Sequence, residues 1–207
     1  MASSMIHLYA GMRFAETFPQ FDTPEFYFGC VAPDCVNLDG FAAKEVRWHA
    51  HRRAASVSEW KENLAAFCRE TDGADPQLKT GCAVHILTDI LWDEFFHETI
   101  WTKAETLSLP CGGESPGWAE CYRFDRSQIE KSWWTEKVRP ALQKAKVSSV
   151  NGLDEALLKR WQKHIAQNYQ GQTPAGVFLE EGPQIIDKTM LRQLCVHLTA
   201  QGRQLLF

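Results

Sequence analysis

The feature that most constrains this chain is a helix-length run around Cys82 to Trp92 that is apolar on nearly every side yet carries a histidine and an aspartate. Val84, Ile86, Leu87, Ile90, Leu91, Trp92, Phe95 and Phe96 leave no polar face for solvent. A helix that is hydrophobic all round must sit in the middle of a bundle. Asp75-Pro76 supplies its N-cap and first helical residue, and the run extends to about Lys103. A membrane span is the other home for such a segment. Asp89, Asp93, Glu94 and Glu98 lie between Cys82 and Trp101, and that many acids would be costly in lipid.

The remaining patterns are also helical. Ser3 and Ser4 can cap a helix with apolar Ile6, Tyr9 and Met12, closed by Pro19. Thr23-Pro24 opens a short helix that Ala32-Pro33-Asp34 ends. Gly40 to Arg53 reads as another. Ser56-Val-Ser-Glu59 has capping-box spacing and leads into Trp60, Leu64 and Phe67 on one face. Leu107 to Tyr122, rich in Gly, Pro and Ser, reads as loop. Asp125 can cap a helix through Ile129, Trp133 and Trp134 that Pro140 interrupts. Leu153 to Tyr169 and Pro183 to Leu206 follow, joined by a loop over 171–182 with room for a short extended piece at Val177 to Leu179. No alternating strand runs with hairpin turns stand out. The expected fold is all-α, a multi-helix bundle of seven or eight helices. The 207 residues fit one domain, with a site-bearing half over about 1–104 and C-terminal helices over about 123–207.

Composition removes several function classes. A net charge of −4 argues against nucleic acid as a stable partner, which calls for a strongly basic surface. The cysteines number seven, an odd count, with no C-x-x-C pair. The opening residues show no signal-peptide pattern. Reduced thiols in the cytoplasm are the expectation.

The chemistry concentrates on His85-Ile-Leu-Thr-Asp89. Residues four apart share one helix face, so imidazole and carboxylate can reach a common cation. A carboxylate in such apolar surroundings is costly unless hydrogen-bonded, paired or metal-bound. Five of the seven His precede residue 100: His7, His49, His51, His85 and His97. His49 and His51 point about 200° apart on a helix, so only one of them can face a given site. Asp34, after Pro33, stands at a helix end where a side chain can point across a cleft. Imidazole nitrogen with carboxylate oxygen suits zinc, and also iron, manganese or nickel.

The order of these motifs is the informative part. His7 comes first, then Phe28-Gly-Cys-Val-Ala-Pro-Asp34, then a His in the basic stretch Lys44 to Arg53, then Val84-His-Ile-Leu-Thr-Asp-Ile-Leu-Trp92. Over roughly residues 5–101 this resembles the zinc-dependent phospholipase C family and its short bacterial hydrolase relatives. The resemblance implies an all-α bundle of the phospholipase C/P1 nuclease type that cleaves phosphate esters with a metal cluster. It implies His7, Asp34, His85 and Asp89 as ligands, Asp89 able to bridge two ions, and His51 as the remaining His, with His49 in reserve. The family's secreted members also ligate through the mature N-terminal residue and through a later His and Glu four apart. Here Met1 to Ser4 precede the first helix, His164 is followed at that distance by Asn168, and His97 by Trp101. His97 and Asp125 are further reserve ligands.

The implied activity is a metal-dependent hydrolase acting on phosphoric ester bonds, with one or two divalent ions, zinc first among them. The substrate expected is a small-molecule or lipid head-group phosphate ester. Asp34 can ligate or handle the attacking water, and Arg47, Arg52 and Arg53 can clamp a phosphate. Two rivals stand beside it. An HD-type phosphohydrolase needs a His-Asp dipeptide, and none occurs here. A non-catalytic helical scaffold that lost its metals would use the tryptophans as partner surface.

Overall fold

The computed structural model describes residues 2–71, 73–109, 115–169 and 182–206. It is helical throughout, with a single isolated bridge, Val150 to Leu153, among the described residues. Among the described residues ten α-helices follow in order: α1 Ser4–Thr17, α2 Pro24–Gly29, α3 Lys44–Ala50, α4 Val57–Arg69, α5 Pro76–Phe95, α6 His97–Thr106, α7 Pro116–Gln128, α8 Arg139–Lys144, α9 Glu155–Lys163 and α10 Lys188–Leu206. A 3-10 turn, Ala32–Asn37, follows α2, and π-helical turns at Trp133–Val138 and His164–Asn168 adjoin α8 and α9. No described helix is long and apolar enough to cross a membrane.

Helix α5 is the axis of the fold. Every residue from Gly81 to Trp92 is buried, and α1, α2, α4, α6 and α10 all pack against it. The closest crossing is with α2, where Gly29 meets Gly81. A Cβ on Gly29 would stand 2.7 Å from the Gly81 Cα, and one on Gly81 the same distance from the Gly29 Cα. Two bare backbones let the chains touch, which carries the residue after α2, Cys30, over the middle of α5.

Several boundaries follow local chemistry. The Thr23 hydroxyl accepts the Phe26 amide, the Ser56 hydroxyl the Glu59 amide, and the Asp75 carboxylate the amides of Gln77 and Leu78. Others depart from expectation. The long central helix does not reach Lys103 unbroken: Phe96, at φ −125° and ψ −32°, leaves the helical region and divides α5 from α6. The helix expected over Gly40 to Arg53 is only Lys44–Ala50, because Gly40 takes φ +114° and the Asn37 side chain closes a turn on the Ala42 amide. The loop expected over Leu107 to Tyr122 contains the first turns of α7, which begins at Pro116. Asp125 therefore lies inside α7 and caps nothing of its own. Pro140 sits in the first turn of α8, where a missing amide hydrogen costs little. The extended piece expected at Val177 to Leu179 lies outside the described residues.

Candidate metal centre

Five of the residues singled out by sequence lie together in the core: His7 on α1, Asp34 on the 3-10 turn, His51 at the end of α3, and His85 and Asp89 on α5. They form two overlapping groups, His7–His85–Asp89 and Asp34–His51–His85, each offering ligand atoms within 4.8 Å of one another. Four are buried, and the Asp34 side chain alone keeps some exposure, at 14%. Asp34 thus marks the side on which the cluster opens to solvent.

Each part of the chain is held from behind. The His85 Nδ1 lies 2.8 Å from the Cys30 carbonyl, the group the glycine crossing delivers, so Nδ1 carries the hydrogen and Nε2 faces inward. His51 repeats the arrangement, with Nδ1 2.8 Å from the Arg47 carbonyl one turn earlier. The Trp60 indole donates to the His51 carbonyl at 2.8 Å. Asn151 donates to the Ala50 carbonyl at 2.7 Å and accepts from the Arg52 side chain at 2.5 Å. The turn bearing Asp34 is fastened by the Trp161 indole of α9, which donates to the Val31 carbonyl at 2.7 Å. The Ala2 amide donates to Asp89 Oδ1 at 2.7 Å.

Apart from one long contact between His51 and Asp34, the spacing inside the cluster is wider than hydrogen bonding. His7 Nε2 stands 3.4 Å from Asp89 Oδ1, His85 Nε2 3.6 Å and His51 Nε2 3.7 Å from Asp89 Oδ2, and His51 Nε2 3.3 Å from Asp34 Oδ1. A charge-assisted N–H to carboxylate bond closes to about 2.7–2.9 Å. Two ligand atoms on one tetrahedral zinc, with bonds near 2.1 Å, stand about 3.4 Å apart. Both His7 nitrogens, His85 Nε2 and Asp89 Oδ2 are buried with no hydrogen-bond partner. Buried polar atoms left in that condition are expensive.

The electrostatics keep His85, Asp34 and Asp89 in ligating form. Burial pushes the His85 imidazole down to about 3, with His7 adding to the effect, so His85 is neutral. Burial alone would raise both carboxyls. The nearby imidazoles outweigh it, His85 first for Asp34 and His7 first for Asp89, and hold both below the ordinary carboxylate range. Burial lowers His51, but the carboxylates of Asp34 and Asp89 bring it above its ordinary value.

The other candidates stand apart from the described groups. His49 is exposed on α3, its Nε2 toward Gly152. His97 begins α6 and stacks on Trp101, ring centroids 4.0 Å apart. Asp125 is buried on α7 and accepts from the Ser3 and Tyr169 hydroxyls and the Met5 amide. Arg53 is engaged by Asp93 at 2.5 Å and lies over the Trp60 ring. Arg52 makes paired bonds of 2.9 Å to Glu70. Arg47 keeps its guanidinium against the Phe41 ring, with Nε donating to the Ala42 carbonyl. The residues sequence reasoning missed act through backbone groups (Ala2, Cys30) or from far along the chain (Asn151, Trp161). Only the Gly29 and Gly81 pair carried a signal, as small residues inside helical patterns. Against family models, curated proteins and solved structures, the chain finds no match.

Proposed function

We propose that the chain is a metal-dependent hydrolase of phosphate esters, with His7, Asp34, His51, His85 and Asp89 holding one or two divalent cations, zinc first among them. The observation that supports this most directly is the set of orphaned buried atoms on His7, His85 and Asp89, spaced as ligands of one ion are spaced and not as hydrogen-bond partners. The chemistry supplied by a bound divalent cation is acidification of a water toward pKa ~7 and neutralisation of charge on a phosphoryl oxygen.

The chain's own groups take the remaining roles. Asp89 stands in one ligand group and its Oδ2 lies 3.7 Å from His51 Nε2 of the other, so its carboxylate would serve both. Asp34, the one member with exposure, accepts a hydrogen bond from the attacking water or takes its proton. His85 and His51, each fixed by a carbonyl behind Nδ1, present Nε2 without turning. Arg47 lies one turn before His51, and its guanidinium would be a cation for the phosphate. The substrate class is a small-molecule or lipid head-group phosphate ester.

Elemental analysis of purified protein together with hydrolysis of bis(p-nitrophenyl) phosphate tests the reading. Stoichiometric metal, and activity that a chelator stops and a divalent ion restores, are the expected results. Protein with no stoichiometric metal and no thermal shift on adding zinc sinks the reading and favours a scaffold. Hydrolysis indifferent to chelator sinks the mechanism.

A further inference from the structure

The three cluster histidines are not held alike. His85 and His51 are each oriented by a carbonyl on Nδ1. His7 has no hydrogen bond on either nitrogen. Its ring lies flat on His85, and its direction otherwise depends on where the first turn of α1 is fixed.

That turn is fixed from α7. Ser3 stands in the cap position of α1 with extended backbone, φ −87° and ψ 165°, yet its hydroxyl does not cap its own helix. It donates instead to Asp125 Oδ1 at 2.5 Å, and the Met5 amide reaches the same oxygen at 3.3 Å. A carboxylate more than a hundred residues away thus occupies the place of an N-cap, where first-turn amides lack partners and the helix dipole favours negative charge. The Tyr169 hydroxyl donates to Asp125 Oδ2, and Tyr169 directly follows the π-helical turn that continues α9. Residues 2–5 therefore run between two buried carboxylates: Asp89 holds Ala2, and Asp125 holds Ser3 and Met5.

We propose that Asp125 is a positioning residue, which clamps the start of α1 with Ser3 and Tyr169 and so sets His7 against the cation cluster. This rests on the metal reading above. It gives the C-terminal half of the chain, which already holds the site through Asn151 and Trp161, a further part through α7 and Tyr169, neither of which supplies a member of the cluster.

The test measures zinc affinity by competition with a chromophoric chelator, and the visible spectrum of the cobalt-substituted protein, on full-length variants checked by circular dichroism. Asp125→Leu removes both acceptor oxygens, which serve three donors, and is expected to weaken zinc binding at His7 by about 10–100-fold and to alter the cobalt spectrum. Asp125→Asn keeps an acceptor for Ser3 and Met5 and a partner for Tyr169, so it restores most of the affinity. In a His7→Ala background, Asp125→Leu costs nothing further, because it acts through His7. Should Asp125→Leu fail to fold, Ser3→Ala and Tyr169→Phe carry the same cycle. Unaltered affinity and spectrum in the folded variants, or an undiminished loss in the His7→Ala background, overturns the inference while the metal reading stands. Unaltered protein that binds no zinc overturns both.

Discussion

The imidazoles of His7 and His85 lie stacked, ring centroids 3.7 Å apart and planes 14° from parallel, in a core where both are almost wholly shielded from solvent. Two protonated rings at that distance would repel with no water to screen them. Burial, with His7 next, holds His85 down to about 3. His85 is the neutral ring of the stack, and Nε2 of each ring lies toward Asp89. A cation there answers the bare nitrogens and the carboxylate together.

The two histidines are not equivalent as ligands. His85 belongs to both candidate groups and His7 to one. His85→Ala is therefore expected to abolish metal binding. His7→Ala leaves Asp34, His51 and His85 together and retains part of it. Elemental analysis of both variants, with circular dichroism as the folding control, reads the difference. Equal losses would rule out the overlapping arrangement.

The pH dependence of the metal-free protein contains opposed contributions. His85 falls from 6.5 to about 3 on folding, so between those values the unfolded chain binds the extra proton and stability rises with pH. Asp125 is pushed up from 3.8 to about 7 by burial, against the pull of its three donors. Over that range the native state binds the extra proton, and stability falls as pH rises. His97 and His164, both lowered by burial, add to the rise from His85, so Asp125 offsets part of it and denaturant midpoints of the metal-free protein should climb only gently from pH 3.8 to 6.5. Asp125→Asn removes the opposing contribution, and its midpoint should climb more steeply with pH across that window. A flat profile in the variant counts against these assignments.

Gly81→Ala tests the crossing that delivers the Cys30 carbonyl. The new methyl would stand 2.7 Å from the Gly29 Cα and closer still to the Phe26 carbonyl, both backbone atoms that cannot swing aside. Overpacking of this kind costs about 1–3 kcal/mol, and the upper end applies here. Urea unfolding reads the loss. Metal affinity should fall as well, since His85 loses the acceptor behind Nδ1.

Glu120 performs a purely structural task at the other end of α7. Its Oε1 accepts the Ile185 amide at 2.6 Å and the Ile186 amide at 3.0 Å, all three residues buried. Glu120→Ala leaves two buried amides without that acceptor, at about 1–3 kcal/mol each. Glu120→Gln keeps the oxygen and should lose far less. Equal destabilisation of the two variants, by urea titration, would assign the role to charge instead.

Where the deciding chemistry is local, the helices were legible. Thr23, Ser56 and Asp75 each cap the amides two or three residues on, as their spacing predicts. Ser115-Pro116 carries the same kind of signal as Thr23-Pro24, and the expectation of a loop passed over it among the surrounding glycines and prolines. The break at Phe96 left no such mark, because no proline or glycine announces it. Helix phase showed that His49 and His51 cannot face the same way, but not which of them turns inward. The choice follows from the docking of α3, with Trp60 on the His51 carbonyl and Asn151 on that of Ala50.

By itself the sequence determined that α5 must be central, since an all-round apolar helix has nowhere else to lie, and that His85 and Asp89 share its face, since 3.6 residues make a turn. Only the tertiary structure decided that His7, Asp34 and His51 arrive beside them, and that Asp125 serves α1 rather than its own helix. The reason is physical. Periodicity and capping act over a few residues of one chain segment, whereas convergence depends on how separate helices cross, and that is set by bare glycine surfaces and by hydrogen bonds between residues more than a hundred positions apart.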